Sequence, residues 1–306
     1  MSLSGFEDPL VDQILEAVDA EMASQKKPKV LLFDIGGVCV VSPFQAILDY
    51  ELSLGAPPGW INYSISKSAP SGFWHRLERG EIPLDQAFFD GFNKDLHNSA
   101  RWKAFSQREQ ARNPNTPREL PPLPTLDGEC LFNKMMSSSH APDPWMYPAL
   151  QTLKQGGQYI LGALSNTIIF PPGHKLHSTN FFNDSLRQLF DVFISSAHAG
   201  IRKPDPKMYR LAVATLDRFA RERAESERGR RLGWDAGIQA HDILFLDDIG
   251  ENLREARAQG FETIKVRLGK TYEAVEKLEQ VTGLKLEGQH PKKPDSPRLA
   301  GPKARI

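Results

Sequence analysis

VLLFDIGG, residues 30 to 37, is the segment on which the fold turns. Val30, Leu31, Leu32 and Phe33 run without alternation into Asp34. That is how a strand covered on both faces of a parallel sheet reads, because a strand with one wet face alternates apolar and polar residues. Gly36 and Gly37 then break the run. Working outward, similar apolar runs occur at Tyr159–Leu164, Val192–Ile194, Ile243–Leu246 and Thr263–Val266. Helical or loop sequence separates them, including helices from about Pro206 to Phe219 and Asn252 to Gln259. This alternation predicts right-handed βαβ crossovers and an α/β fold with a Rossmann-like parallel sheet.

Residues 44–148 read differently. Helical stretches such as Gly72–Arg79 and Leu84–Leu96 appear without a strand series, which predicts a helical cap inserted between the first and second strands. The core is then expected at 28–43 and 149–285. Leu10, Val11, Ile14, Leu15, Val18 and Met22 recur at helical spacing and predict an amphipathic helix over 9–23, within an extension covering 1–27. Residues 113–124, NPNTPRELPPLP, are too proline-rich for helix or central strand and predict an irregular loop on the cap. Residues 221–235 are charged and predict a solvated helix extension. The Pro- and Lys/Arg-rich tail, 286–306, predicts disorder.

Lys plus Arg and Asp plus Glu both number 38 among 306 residues, so global charge draws the chain to neither nucleic acid nor an acidic membrane. Cys39 and Cys130 are the only cysteines, too few for a disulfide framework. With Glu7, Asp8, Asp12 and Glu16 where a secretory signal would be basic, they predict a cytoplasmic protein. No apolar run approaches the roughly 18 residues of a membrane span.

In open parallel sheets, ligands bind beyond the carboxyl ends of the strands. The first strand ends in Asp34, the second in Ser165-Asn166 and the fourth in Asp247-Asp248, while Lys203 follows the third. Phosphoryl transfer asks the protein for positioning and charge neutralisation, and a carboxylate attacks phosphorus only when its own charge is offset. Mg²⁺ favours oxygen ligands, so Asp34, Asp247 or Asp248, and a backbone carbonyl near the Gly-Gly turn suffice to hold it. Lys203 neutralises remaining charge, and Ser165 donates to a phosphoryl oxygen.

LLFDIGGV at 31–38, LGALSN at 161–166, GIRKPDPKMYRLA at 200–212 and ILFLDDIGENLREARAQG at 243–260 resemble, in order and spacing, the four motifs of haloacid dehalogenase-like hydrolases. Within them the chain is most similar to the group of the soluble epoxide hydrolase N-terminal phosphatase domain and the related domains of acyl-CoA dehydrogenase-like proteins. The cap segment FWHRLERGEIPLDQAFFDGF at 73–92 supports that placement. The resemblance implies that Asp34 forms an aspartyl-enzyme intermediate and that Ser165 and Asn166 orient a small phosphate ester. It also implies that Lys203 holds nucleophile and phosphate, and that Asp247 and Asp248 bind Mg²⁺ with Asp34. Phosphatases of the superfamily usually carry a second Asp two residues after the nucleophile, as general acid and base. Here that residue is Gly36, which keeps only its backbone carbonyl for the metal. General acid–base transfer contributes about 10²- to 10⁴-fold in rate, so good leaving groups are expected to be favoured.

Two rival readings share these residues. In a 2-haloacid dehalogenase the same carboxylate attacks carbon and no metal is needed, against which the Asp247-Asp248 pair speaks. In a catalytically weak binding or regulatory protein, the fold outlives the lost acid/base Asp. His174 and His177 have metal-ligand spacing but lack a third ligand, and Phe73 and Trp74 read equally as entrance or core. Ala304-Arg305-Ile306 loosely resembles a peroxisomal address, the alternative to the cytoplasm.

Overall fold

The computed structural model describes residues 27–112, 122–138, 141–174, 177 and 184–294. The expected helix at 9–23, most of the proline-rich loop and the terminal Ala304-Arg305-Ile306 lie outside them. Five strands, β1 (Val30–Phe33), β2 (Ile160–Ser165), β3 (Val192–Ser195), β4 (Ile243–Asp247) and β5 (Glu262–Lys265), form one sheet in the order β3-β2-β1-β4-β5. Every pairing is parallel, with Phe33 opposite Ala163 on one side and Leu246 on the other. β1 is buried along its whole length, as its unbroken apolar run requires.

Successive strand residues point to opposite faces, and two cores result. Leu31, Phe33, Leu161, Ala163, Leu244 and Leu246 pack on α7 (Met146–Gly156) and α12 (Thr271–Thr282). Val30, Leu32, Ile160, Leu164, Ile243 and Phe245 pack on α9 (Pro206–Glu222) and α11 (Gly250–Ala258). Each fully buried Leu, Ile or Phe contributes about 1.5–3 kcal/mol. The start of α9 is fixed locally: Pro206 takes the first turn, where its missing N–H is no loss, and the Asp205 carboxylate accepts from Lys207 N.

Among the described residues seven helices lie between β1 and β2: α7, which packs on the sheet, and before it the six of the insertion, α1 (Phe44–Ser53), α2 (Trp60–Lys67), α3 (Phe73–Glu78), α4 (Gln86–Leu96), α5 (Ser99–Arg112) and α6 (Gly128–Ser138). These six enclose a third, aromatic cluster in which Trp60 meets Trp102 edge-on at 5.0 Å and Phe88 stacks on Phe92 at 5.5 Å. Trp74 packs in this cluster 5.5 Å from Phe92, and the Phe73 ring closes over Gly91. Trp74 is a core residue of the cap, and the half-buried Phe73 packs against that core. Trp145 and Met146, near the expected cap boundary, belong instead to the sheet-side core.

The charged stretch 221–235 departs from the expected solvated helix. α9 stops at Glu222, and Ser226 then caps α10 (Glu227–Leu232) by accepting from Gly229 N. Arg228 turns inward to the buried carboxylate of Asp191 at 3.0 Å, and Trp234 is buried. Charge density alone concealed these two anchors. No helix among the described residues is long and apolar enough to cross a membrane.

Candidate active site

The chain runs from β1 to β2 and β3 on one side, then crosses to β4 and β5 on the other. The carboxyl ends of β1 and β4 therefore flank the crevice where strand order reverses. Asp34 follows β1 and its N–H donates to Leu246 O at 2.9 Å, which sets it beside Asp247, the last residue of β4. The carboxylates of Asp34, Asp247 and Asp248 offer oxygens within 4.8 Å of one another. Lys203, 1% exposed, reaches between them: its Nζ lies 3.0 Å from Asp34 Oδ1 and 2.7 Å from Asp247 Oδ2.

The three carboxylates are not equivalent. Asp247 is saturated, since Oδ1 accepts from Ile249 N at 2.7 Å, both oxygens accept from Asn252 Nδ2, and Oδ2 takes Lys203. Asp34 Oδ1 accepts from Ile35 N at 2.7 Å and faces Lys203, leaving Oδ2 without a hydrogen bond among the described residues. Burial pushes the Asp34 carboxyl up to about 6, with Lys203 pulling it down and Asp247 pushing it further up. Burial, then the charges of Asp34 and Asp247, drives the Asp248 carboxyl well above the usual carboxylate range. Lys203 stands above its ordinary value: burial opposes its charge, but Asp247 and Asp34 outweigh it. Three carboxylates thus share one ammonium.

That imbalance tests whether a divalent cation fits. The donors are all oxygens, as Mg²⁺ prefers, and they already lie close enough to share one ion. A second cation would offset the like charge that raises Asp34 and Asp248. The residues fit.

Asn166 binds the Lys203 backbone at both ends, Nδ2 donating to Lys203 O at 3.2 Å and Oδ1 accepting from Lys203 N at 2.9 Å. Its amide is engaged with the lysine rather than directed at a ligand. Ser165, buried at the end of β2, makes only a long contact to Asn166 O at 3.4 Å. Gly36 lies in the turn after Asp34, and a Cβ built there meets nothing within 4 Å. Gly37 differs: at φ +75° its Cβ would stand 2.7 Å from Asp248 Oδ2, so glycine lets the turn approach that carboxylate.

Sequence reasoning missed Asn252 and the contact between cap and core. Asn252 was legible only as part of the helix after Asp247-Asp248. Glu78, on α3, lies 2.7 Å from Arg202 Nε without hydrogen-bond alignment, an ionic contact one residue before Lys203. Ser196 Oγ donates to Glu78 O at 2.5 Å. His174 and His177 build the loop after β2, His174 stacking on Phe170 and His177 Nδ1 bonding Phe170 O at 2.8 Å.

No family model matches the chain. It is 26% identical over 259 residues to acyl-CoA dehydrogenase family member 10 of Mus musculus, covering 84% of this chain and 19% of that protein. It is 33% identical over 268 residues to bifunctional epoxide hydrolase 2 of Rattus norvegicus, covering 83% of this chain and 39% of that protein. Against the sesquiterpene phosphatase astK of Aspergillus oryzae it is 26% identical over 233 residues, 76% of this chain and 86% of that one. The chain thus spans less than half the length of the two mammalian proteins. In the order of its motifs and of its strands the chain resembles the haloacid dehalogenase-like hydrolases, and over three quarters of its length it is similar to a protein named as a phosphatase.

Proposed function

We propose that the protein is a Mg²⁺-dependent phosphatase that cleaves a small organic phosphate through an aspartyl-phosphate on Asp34. The observation that carries this reading is the free Oδ2 of Asp34, held beside Lys203 and within ligand distance of two further carboxylates. Asp34 Oδ2 attacks phosphorus while the bond from phosphorus to the alcohol oxygen breaks. Water then attacks phosphorus, the Asp34 carboxylate leaves, and inorganic phosphate is released. Lys203 holds Asp34 Oδ1 and opposes the charge of the phosphoryl group, and Asn166 fixes the lysine backbone. Ser165 offers its hydroxyl to a phosphoryl oxygen. Asp34, Asp248 and the Gly36 carbonyl, with Asp247 behind them, would hold Mg²⁺, which would supply charge neutralisation for the phosphoryl oxygens. The alcohol takes its proton from water, because position 36 has no side chain, so phenolic esters turn over faster than alkyl ones. Two unpaired thiols agree with a cytoplasmic setting.

The test is hydrolysis of p-nitrophenyl phosphate by the purified protein with and without Mg²⁺, beside Asp34→Asn. Metal-dependent turnover that disappears in the variant is expected; equal turnover by both proteins would sink the reading. One observation favours a second reading, a phosphate-binding protein with little turnover: Gly36 stands where the superfamily's phosphatases usually have Asp. The open space around Gly36 makes Gly36→Asp a clean discriminator. Turnover that appears only in that variant supports the binding reading.

A further inference from the structure

At the opposite end of the sheet from Asp34 lies a cavity of about 460 Å³, lined among others by Lys27, Lys29, Gln158, Arg231 and Trp234. Lys29 immediately precedes β1 and Gln158 stands just ahead of β2, whereas Asp34 and Ser165 stand at the other ends of these strands. A strand of this length spans about 13–20 Å, so one small molecule cannot occupy both places. The volume falls within the usual range of about 300–1,000 Å³ for ligand sites.

Charge sets this cavity apart. Among the described residues three side-chain cations line it and no carboxylate does. Lys29 Nζ donates to Gly237 O at 3.1 Å and Arg231 to Gly157 O at 3.3 Å, carbonyl partners that orient the cations without neutralising them. Lys27 is exposed, and among the described residues it has neither hydrogen bond nor ion pair. Arg228, on the same helix as Arg231, shows the contrast: its charge is matched by Asp191 at 3.0 Å and its guanidinium lies 5.0 Å from the Trp234 ring. The buried sides of Trp234 and Tyr159 give the cavity a firm wall. In a chain with zero formal net charge the attraction for anions is local to this place.

We propose that this cavity is a second binding site, separate from the site of turnover, for a small polyanion of the diphosphate or triphosphate class. Three cations around one concavity, which no carboxylate among the described residues neutralises, match the charge of a diphosphate, and the cavity leaves room for the organic group attached to it. The assignment is independent of the phosphatase reading.

Inorganic pyrophosphate is titrated calorimetrically into the full chain in EDTA, where the three carboxylates beside Lys203 repel anions. One equivalent is expected to bind, with affinity falling as salt rises. Lys27→Glu with Arg231→Glu weakens binding by about tenfold or more, since each reversal turns an attraction into a repulsion at short range. Lys277→Glu, at an exposed position on α12 that does not line the cavity, leaves it unchanged. Lys27→Glu alone moves affinity in the same direction and removes no hydrogen bond or ion pair among the described residues. Absence of binding to the wild-type chain, or affinity equal in wild type and the Lys27 variant, overturns the proposal.

Discussion

Glu51 in the cap and Asp247 at the edge of the sheet are both almost fully buried carboxylates, and the surroundings that accept them differ. Glu51 closes the end of α1 and, among the described residues, meets only backbone donors, Gly59 N and Ile61 N at 2.7 Å each, and forms no ion pair. Burial pushes its carboxyl up to about 7 despite those two bonds. Asp247 has backbone and amide donors and in addition Lys203. The cap therefore buries one carboxylate as a local matter of joining two helices. The sheet edge concentrates three around one ammonium, an arrangement that stability alone does not call for, because buried ion pairs are costly to assemble.

The largest effect follows from breaking the sheet-edge arrangement. Lys203→Met leaves Asp34 and Asp247 buried without their shared cation, and removing one partner of a buried pair costs about 3–5 kcal/mol. The urea midpoint of the core falls accordingly, and turnover is lost. Mg²⁺ restores part of the stability of this variant, because a cation that binds only the folded state stabilises it by mass action. A variant as stable as wild type in EDTA would show that Lys203 does not balance these charges.

The cap carboxylate gives the next effect, and it depends on pH. Its value of about 7 stands above the ordinary 4.5, so its contribution is fully present below pH 4.5 and is lost as pH rises through about 7. At one pKa unit per 1.36 kcal/mol, the loss reaches at most about 3 kcal/mol. Glu51→Gln keeps the shape and removes the titration. Urea unfolding at pH 5 and pH 8 is expected to show a smaller decline in the variant than in wild type; parallel declines would mean that Glu51 is not the group responsible.

The same contrast explains what could be read from the sequence. The unbroken apolar runs ending in Asp34, Ser165 and Asp247 marked the strands, because a strand buried on both faces has no other way to be written. Parallel pairing then brought those ends to one edge. The hold of Asn166 on the Lys203 backbone and the role of Asn252 were not legible in the same way. Each acts through contacts to residues 37 and 5 positions away whose direction depends on the finished packing. The cap's helices were visible as helices, but the Glu78–Arg202 contact joins residues from two segments without any shared pattern. The anchors Arg228 and Trp234 were hidden in a run of charge for the same reason.

Asn252 supplies a smaller test. Its amide gives both Asp247 oxygens a donor, and Asn252→Leu removes it while Lys203 and Ile249 N remain. Leaving a buried acceptor short of a partner costs about 1–3 kcal/mol. The variant should unfold at lower urea and need more Mg²⁺ for half-maximal turnover, since the carboxylate behind the metal site is less firmly held. A lower midpoint with an unchanged metal requirement would confine Asn252 to stability.

The finest distinction is between neighbours. Gly37→Ala forces a left-handed conformation on a residue with a Cβ, at about 1–2 kcal/mol, and sets that Cβ against Asp248 Oδ2. Gly36→Ala meets open space without a positive φ, so stability should change by no more than about 0.5 kcal/mol. Glycine at 37 is then a requirement of the turn and of its approach to Asp248, while glycine at 36 is free of any structural demand. Calorimetric melting of the two variants separates them. A destabilised Gly36→Ala would place a backbone constraint at the position where the superfamily's phosphatases usually carry their acid. An unaffected one leaves the missing carboxylate as a matter of chemistry, open to restoration by a single substitution.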